Sequence, residues 1–505
     1  MTITAYGTGA YRAAKPNEFV STRAQFDDLQ RQLDTKQRST SYGDLGIDRR
    51  VSLDLNAKIS TLDSWLSGIE LSNVNVKLQT TSVENFAKLT SETRNDTRSN
   101  SYVPSASGRS SPQVLAEEKF KQSLDLLNIA VNGRYLFSGK TSDTQPAAGF
   151  DEIMDGDGAG KAGLKQLIDE RRQADLGSGL GRLTAGGAGT TATIAEEATV
   201  HPYGFKIAGI SGSSAALATT FNPGPPADVS VNVASQPVAG DTVRLKLNLP
   251  DGTQEDIVLT ARATGTTGSD TDSFEIGADP NATAANLRNS INAALGKEAK
   301  TTLSAASSQV AAQDFFAGSL NNPPKRVPGP PFDTATLPPS NAGAAATTVI
   351  WYRGDDGSDP ARSTATVQVD QGQAVGTGTR ANEEAFRVGL AQFAIMAAEN
   401  FPAGDTNSQA RYEAMTSRVS EKLGFGGNTQ KPAEIITELG SAQTALASAK
   451  ARHQSTKDYL TTTLSGVENV STEEVATQIL ALQTQLQASY QVTSMLSKLS
   501  LTNFL

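Results

Sequence analysis

The apolar residues that follow position 50 recur with an alternating spacing of four and three. The series runs through Leu55, Ile59, Leu62, Leu66, Ile69, Val76 and Val83. This is the heptad pattern of helices that pack along a seam. No proline occurs between Pro16 and Pro104, so the pattern predicts one uninterrupted helix over roughly 50–98. A further helix is predicted from Pro112 to Phe137, with Ser111 as its N-cap.

The C-terminal third repeats the pattern. One seam runs through Leu439, Ala442, Leu446, Ala449, His453, Thr456, Leu460 and Val467. After a break at Ser465-Gly466, Ser471 and Glu474 have the spacing of a capping box, which predicts the start of a last helix. Its apolar stripe runs through Val475, Ile479, Leu482, Leu486, Val492, Leu496 and Leu499.

The middle of the chain, roughly 140–375, has a different pattern. It holds most of the prolines and glycines, and apolar residues alternate with polar ones at Val229–Val233 and Val243–Leu249. Pro250-Asp251-Gly252 then predicts the turn of a hairpin, and Asn281–Leu295 has helical spacing. The predicted fold class is mainly α with an α+β insert, in which long N- and C-terminal helices pair as a coiled-coil frame around a β-rich module.

Length, charge and composition limit the classes of function and partner that the chain can have. A chain of 505 residues is expected to form two or more domains. Its net charge of −9 argues against a nucleic-acid partner, and no apolar run reaches the ~18 residues that span a bilayer. The first fifteen residues, MTITAYGTGAYRAAK, lack the apolar segment of a cleaved signal peptide. The protein is therefore either cytoplasmic or exported without such a signal.

Little catalytic chemistry is available. The chain has no cysteine and two distant histidines, His201 and His453. The string Gly133–Thr141 places five residues between its glycines, where a phosphate-binding loop has four. Asp155–Gln166 lacks the final glutamate of a calcium loop. We therefore expect no enzyme activity, no metal site and no cofactor.

The stripes at the two ends are long for one chain to cover, which predicts self-assembly. The predicted assembly interface comprises Leu55, Ile59, Leu62, Leu66, Ile69, Val475, Ile479, Leu482, Leu486, Tyr490, Leu496, Leu499, Leu501, Phe504 and Leu505. The terminal stretches, about 1–40 and 470–505, are expected to be disordered until assembly orders them. The predicted domains are an N-terminal assembly segment (1–44), an N-terminal helical frame (45–140), a β-rich insert (141–377), a C-terminal helical frame (378–467) and a C-terminal assembly helix (468–505).

Several segments resemble the bacterial flagellin family. They are Asn132–Gly139, the run Gly466–Ala476 and the ending Leu482–Leu505. The C-terminal ending and Gly378–Arg387 are closer to the subgroup that joins hook to filament than to filament subunits. The segment Ser41–Arg50 departs from the family, because it lacks the proline of the turn that commonly precedes the long N-terminal helix.

The resemblance implies a structural subunit of the flagellum that leaves the cell unfolded through the type III export channel. The expected location is extracellular, and the expected partners are further copies of itself, flagellin, a hook-side junction protein and an export chaperone. No nucleic acid or membrane insertion is expected. Two alternatives stay open: a flagellin that forms the filament, and an exported adhesin or enzyme on a flagellin-like frame.

Overall fold

The computed structural model describes residues 8–99 and 102–498, with side chains for 20–99 and 102–495. About half of the chain is helical, with long helices towards both ends and a β-rich module between them. The chain forms two compact units. The terminal unit comprises Met1–Leu71, Gln368–Ala374 and Ala445–Leu505, and the central unit comprises Ser72–Val367 and Val375–Thr444.

Helices lie on both sides of the strand-rich stretch 177–279. In chain order they are α1 (Thr8–Thr35), α2 (Arg49–Ser99), α3 (Ser111–Leu127), α4 (Phe150–Asp155), α5 (Leu164–Leu176), α6 (Pro280–Lys300), α7 (Thr302–Ala317), α8 (Ala344–Thr347), α9 (Glu384–Ala398), α10 (Ser408–Lys422), α11 (Pro432–Glu468) and α12 (Thr472–Lys498). Short 3₁₀ turns lie at Gly46–Asp48 and Ala361–Thr364.

The strands form four sheets among the described residues. They are β1 (Ala130–Val131), β2 (Arg134–Tyr135), β3 (Leu183–Gly186), β4 (Thr191–Glu196), β5 (Lys206–Gly212), β6 (Leu217–Asn222), β7 (Asp228–Val233), β8 (Thr242–Asn248), β9 (Gln254–Arg262), β10 (Ser273–Glu275), β11 (Thr366–Asp370) and β12 (Gln373–Gly376). Two sheets have two strands each, β1-β2 and β11-β12, and two have four, β3-β4-β7-β6 and β10-β9-β8-β5.

The heptad pattern predicted the bounds of α2 to within one residue at each end. Within the central unit, Val76 and Val83 are fully buried on the predicted seam, and Phe86 joins them. Phe86 packs edge-on against Phe386 and Phe393 of α9, with ring centroids 5.1 and 6.2 Å away. This part of the α2 seam therefore lies in an aromatic core.

The helix predicted to reach Phe137 ends earlier, at Leu127. Asn132 and Gly133 both have positive φ, 52° and 76°, and they turn the chain into the β1-β2 hairpin. Asn-Gly is the preferred pair for a two-residue hairpin turn of this kind. Helical periodicity continued in the sequence, but the local turn preference overrode it.

The β-rich module spans β3 to α6 and encloses one apolar core. Val229, Val231 and Val233 of β7 point inward, as the alternating pattern predicted. The predicted hairpin is β8-β9, in which Leu245 lies opposite Ile257. Gly252 in its turn has φ +82°, a conformation that glycine adopts without strain. Helix α6 packs on β10 and on strands of both four-stranded sheets, covering the core with Leu287 and Ile291.

Helix α7 was not predicted. Leu303, Phe315 and many small Ala and Ser residues are buried on all its sides, so it has no polar face and no apolar stripe. It packs against α5, α9 and α10. Leu303 and Ala306 at its start belong to the core of the β-rich module, so α7 connects this module to the helical part of the central unit.

Helices long and apolar enough to cross a membrane are absent from the described residues.

Candidate assembly interface

The predicted interface residues of α2 lie inside the terminal unit. Leu55, Leu62, Leu66 and Ile69 are buried, and Ile59 is half-buried. Helix α11 runs alongside, because Lys457 lies 2.6 Å from Asp63 and Lys450 lies 2.8 Å from Glu70. The α2 half of the predicted surface is thus covered by the protein's own chain.

His453 of α11 is a buried residue that packs against α2. Its ring centroid lies 5.2 Å from that of Trp65, and its Nε2 contacts the backbone oxygen of Val369. A carbonyl oxygen can only accept a hydrogen bond, so Nε2 carries the proton. The role of His453 is to attach the tip of the β11-β12 hairpin, where Arg452 also pairs with Asp370 at 3.1 Å.

Glu468, at the end of α11, connects three segments of the terminal unit. Its carboxylate accepts hydrogen bonds from the Ser52 hydroxyl and, at 3.3 Å, from the Asn56 amide. Its backbone oxygen accepts the N–H of Arg38 at 2.7 Å, and the N–H of Val470 donates to Lys36 at 3.1 Å. These bonds hold the loop that follows α1 against the loop that precedes α12.

Ser471 starts α12 as predicted. Its Oγ accepts the N–H of Glu474 at 3.3 Å. The same hydroxyl donates to the carboxylate of Glu473 at 2.8 Å, and this hydrogen bond lowers the pKa of Glu473. The cap satisfies one of the amides that a helix start leaves unpaired.

Burial along α12 decreases towards its C-terminal end. Val475 and Ile479 are buried, and Leu482 and Leu486 are half-buried, in a helix that packs along α1. Beyond them, Tyr490 is 59% exposed. Leu480, Val492 and Met495 are also more than half exposed. This part of α12 presents apolar surface that a further helix could bury.

The remaining predicted interface residues cannot be placed in the same way. Leu496 lies within α12, where its side chain is not described. Leu499, Leu501, Phe504 and Leu505 lie outside the described residues. The interface as a whole therefore stays a prediction, and the part of α12 around Tyr490 is its exposed portion.

Two segments that suggested a family resemblance lie together in the central unit. The N–H of Ala381 donates to the oxygen of Phe137 at 2.8 Å, and the N–H of Gly139 donates to Thr379 at 3.1 Å. Gln79 of α2 bonds to both segments, at 2.8 Å to the Thr379 hydroxyl and 3.1 Å to the Leu136 oxygen. Asn132–Gly139 and Gly378–Arg387 are thus one structural element formed from distant parts of the sequence.

The C-terminal part of the chain is similar to a known protein family. Residues 429–505 match the bacterial flagellin C-terminal helical region. No curated protein matches the chain. The flagellin-type region contains all of α11 and α12, so it includes both the covered seam at His453 and the exposed stripe around Tyr490.

Three segments outside the flagellin-type region have sequences that suggest a phosphate-binding loop, a calcium loop and an adhesion tripeptide, and each has a structural role. Gly133 lies in the β1-β2 turn, and Asp157 accepts the N–H groups of Ala159 and Lys161, each at 2.8 Å. In the tripeptide Arg353-Gly354-Asp355, Arg353 pairs with Glu152, and Asp355 lies 3.0 Å from Arg380. No group of three or more His, Cys, Asp or Glu side chains is placed to hold a metal ion in the described part of the chain.

Besides α7, sequence reasoning missed two further features. The first is α1: the stretch 1–40 was expected to be disordered before assembly, whereas Thr8–Thr35 form the helix on which α12 packs. The second is a cavity of about 510 Å³ in the central unit between α7, α9 and α10. Its residues come from three separate parts of the sequence, and no spacing rule connects them.

Proposed function

We propose that this protein is a non-enzymatic structural subunit of the bacterial flagellum, of the type called hook-associated protein 3. Such a subunit joins the hook to the filament and provides the end on which flagellin polymerises. The observation that carries the proposal is the flagellin-type region at 429–505, which contains the exposed apolar stripe of α12. A subunit that polymerises needs such a surface, because association removes apolar area from water.

The junction role rests on finer features than the flagellar one. The ending Leu482–Leu505 and the segment Gly378–Arg387 resemble junction subunits. The absence of proline from Ser41–Arg50, where the family commonly has one, leaves the filament subunit as the second candidate. In the junction role, the partners are further copies of the chain, a hook-side neighbour, flagellin and an export chaperone, and the protein is extracellular.

Deletion of the gene separates the two roles. A strain without the junction subunit should build complete hooks and still export flagellin. It should lose that flagellin to the medium, because the filament has no compatible end on which to grow. Electron microscopy of hooks and immunoblotting of the medium measure both outcomes, and re-expression of the wild-type chain is the control.

The amount of the protein in sheared filaments gives the second test. A junction subunit should occur only in traces, whereas a filament subunit should be a main component. A strong band in purified filaments would assign the protein to the filament. Normal filaments in the deletion strain would contradict both roles.

A further inference from the structure

Arg387 of α9 is a half-buried cation that forms no ion pair with the described residues. Its Nε is buried and has no hydrogen-bond partner among the described residues. Burial lowers the pKa of Arg387 because it removes the charge from water, and Glu384 offsets this only in part. An uncompensated buried charge costs free energy unless something else completes its surroundings.

Other arginines with similar burial do have partners. Arg172 and Arg182 also have a buried, unpaired Nε, but their terminal nitrogens pair with Glu399 and Glu197. Arg362 pairs with Glu383 and Glu438. Within the described residues, the side chain of Arg387 has neither an ion pair nor a hydrogen bond of this kind.

Arg387 lines the cavity of about 510 Å³ between α7, α9 and α10, and it also borders a neighbouring, more open cavity beside Arg362 and Gln430. Arg387, Val388 and Ala391 lie on one face of α9, at positions i, i+1 and i+4, and Phe316 and Ala317 of α7 also line the cavity. The space falls in the range of small-molecule sites, and its lining offers apolar contact beside Arg387 and Lys422, two cations without an ion pair among the described residues.

The charges around the cavity limit the ligand. Arg387 and Lys422 contribute two positive charges, and Glu384 and Glu421 contribute two negative ones. A doubly charged anion would meet the two carboxylates, whereas a single carboxylate can accept both N–H groups of one edge of a guanidinium. An apolar body on the ligand would contact Phe316 and Ala391.

We propose that this cavity binds a small monocarboxylate with an apolar body, which Arg387 recognises. The site is independent of the exposed stripe on α12. It would allow a ligand to stabilise the central unit by binding to its folded state.

Binding can be measured on the purified full-length chain with phenylacetate as the probe. Calorimetry and the thermal unfolding of the central unit report binding, while 2-phenylethanol and inorganic phosphate serve as controls that lack the charge or the apolar body. Phenylacetate should bind and raise the unfolding temperature, and the two controls should not. Failure of phenylacetate to bind, or equal binding of 2-phenylethanol or phosphate, would overturn the proposal.

Arg387→Met removes the charge and keeps an apolar side chain. Affinity for phenylacetate should fall about tenfold or more, as for loss of a charge-assisted hydrogen bond. Without ligand, the variant should be at least as stable as the wild type, because an unpaired buried charge has gone. Arg134→Met, at an exposed position outside the cavity, is the matched control and should change neither quantity.

A second variant keeps Arg387 and fills the space. Val388→Phe adds volume to the cavity lining and should weaken phenylacetate binding while circular dichroism shows an intact fold. Unchanged binding by both Arg387→Met and Val388→Phe would place the ligand elsewhere and contradict the proposal. A loss of ligand-free stability in Arg387→Met would show that the guanidinium is a structural group.

Discussion

The central and terminal units differ in how their interiors are filled. All of the largest fully buried side chains, among them Trp351, Phe137 and Phe386, belong to the central unit. In the terminal unit, aliphatic residues such as Leu62 and Ile69 supply most of the interior beside the Trp65–His453 pair, and its α12 leaves large apolar side chains exposed. The central unit therefore closes its core with its own residues, whereas the terminal unit has apolar surface left for a partner.

Substitutions that introduce negative charges into the apolar stripe of α12 should have the largest effect, which is on incorporation into flagella. Leu482→Asp with Leu486→Asp should abolish incorporation into flagella, because two carboxylates would enter an apolar seam without partners. The folded central unit should be unaffected. Fractionation of cells, medium and sheared flagella measures incorporation.

The matched control is Gln483→Asp with Gln487→Asp, which adds the same charge at exposed positions of the same helix. This variant should assemble. Normal incorporation of the leucine variant would show that the half-buried stripe of α12 is not an interface.

In the free subunit, the rates of amide hydrogen exchange should differ between the two units by orders of magnitude. Residues of α9, which is buried on most sides, should exchange only when the central unit unfolds. Residues of α1 and the C-terminal half of α12 should exchange quickly, because assembly is expected to order the terminal stretches and because Tyr490, Val492 and Met495 of α12 are exposed. Strong protection in α12 of the monomer would contradict the expectation that assembly orders the terminal stretches.

The aromatic core gives the largest effect on stability. Phe386 packs against Phe86 and Phe137, at 5.1 and 5.7 Å between ring centroids. Phe386→Ala should lower the free energy of unfolding of the central unit by about 3–5 kcal/mol, through lost burial and a cavity. Denaturant titration measures this change, and Val114→Ala at an exposed position is the control, with an expected change below about 0.5 kcal/mol. A loss below about 1 kcal/mol for Phe386→Ala would mean that the core is not closed as described.

The cap of α12 offers a smaller test within the terminal unit. Ser471→Ala should destabilise α12 by about 1 kcal/mol, because the N–H of Glu474 loses its acceptor. Ser471→Asp keeps an acceptor and should restore most of this loss. Exchange rates at the start of α12 measure the difference, and equal rates in the two variants would contradict the capping role.

The smallest expected effect is on how the stability of the central unit depends on pH. Burial and the charges of Lys206 and Arg182 lower the pKa of His201 below its ordinary 6.5, against the opposing effect of Glu197. The unfolded chain therefore binds a proton that the folded one resists, and stability falls as the pH drops below about 6.5. Unfolding titrations at pH 8 and pH 5.5 should show this loss, and His201→Gln should reduce it. An unchanged pH dependence in the variant would exclude His201 as its source.

Residues with strong local patterns could be placed from the sequence. The heptads predicted α2, the alternating valines predicted β7, and Pro250–Gly252 predicted the β8-β9 hairpin. Helix α7 could not be found, because burial on all sides removes the periodicity on which such predictions rest. The candidate interface was visible as a stripe, but the covering of Leu62 and Leu66 depends on tertiary packing that one sequence does not reveal.

The junction of Asn132–Gly139 with Gly378–Arg387 also determines when the central unit can finish folding. Leu136 and Thr379, which bond to each other, lie 243 positions apart. The entropy of closing so long a loop grows slowly, by about 0.6 kcal/mol for each doubling, but contacts this distant form late. In a chain that emerges amino end first, Phe86 and Phe137 cannot complete their packing until Phe386 has emerged, after the whole of the β-rich module. The aromatic core therefore closes later than the module that is inserted between its parts.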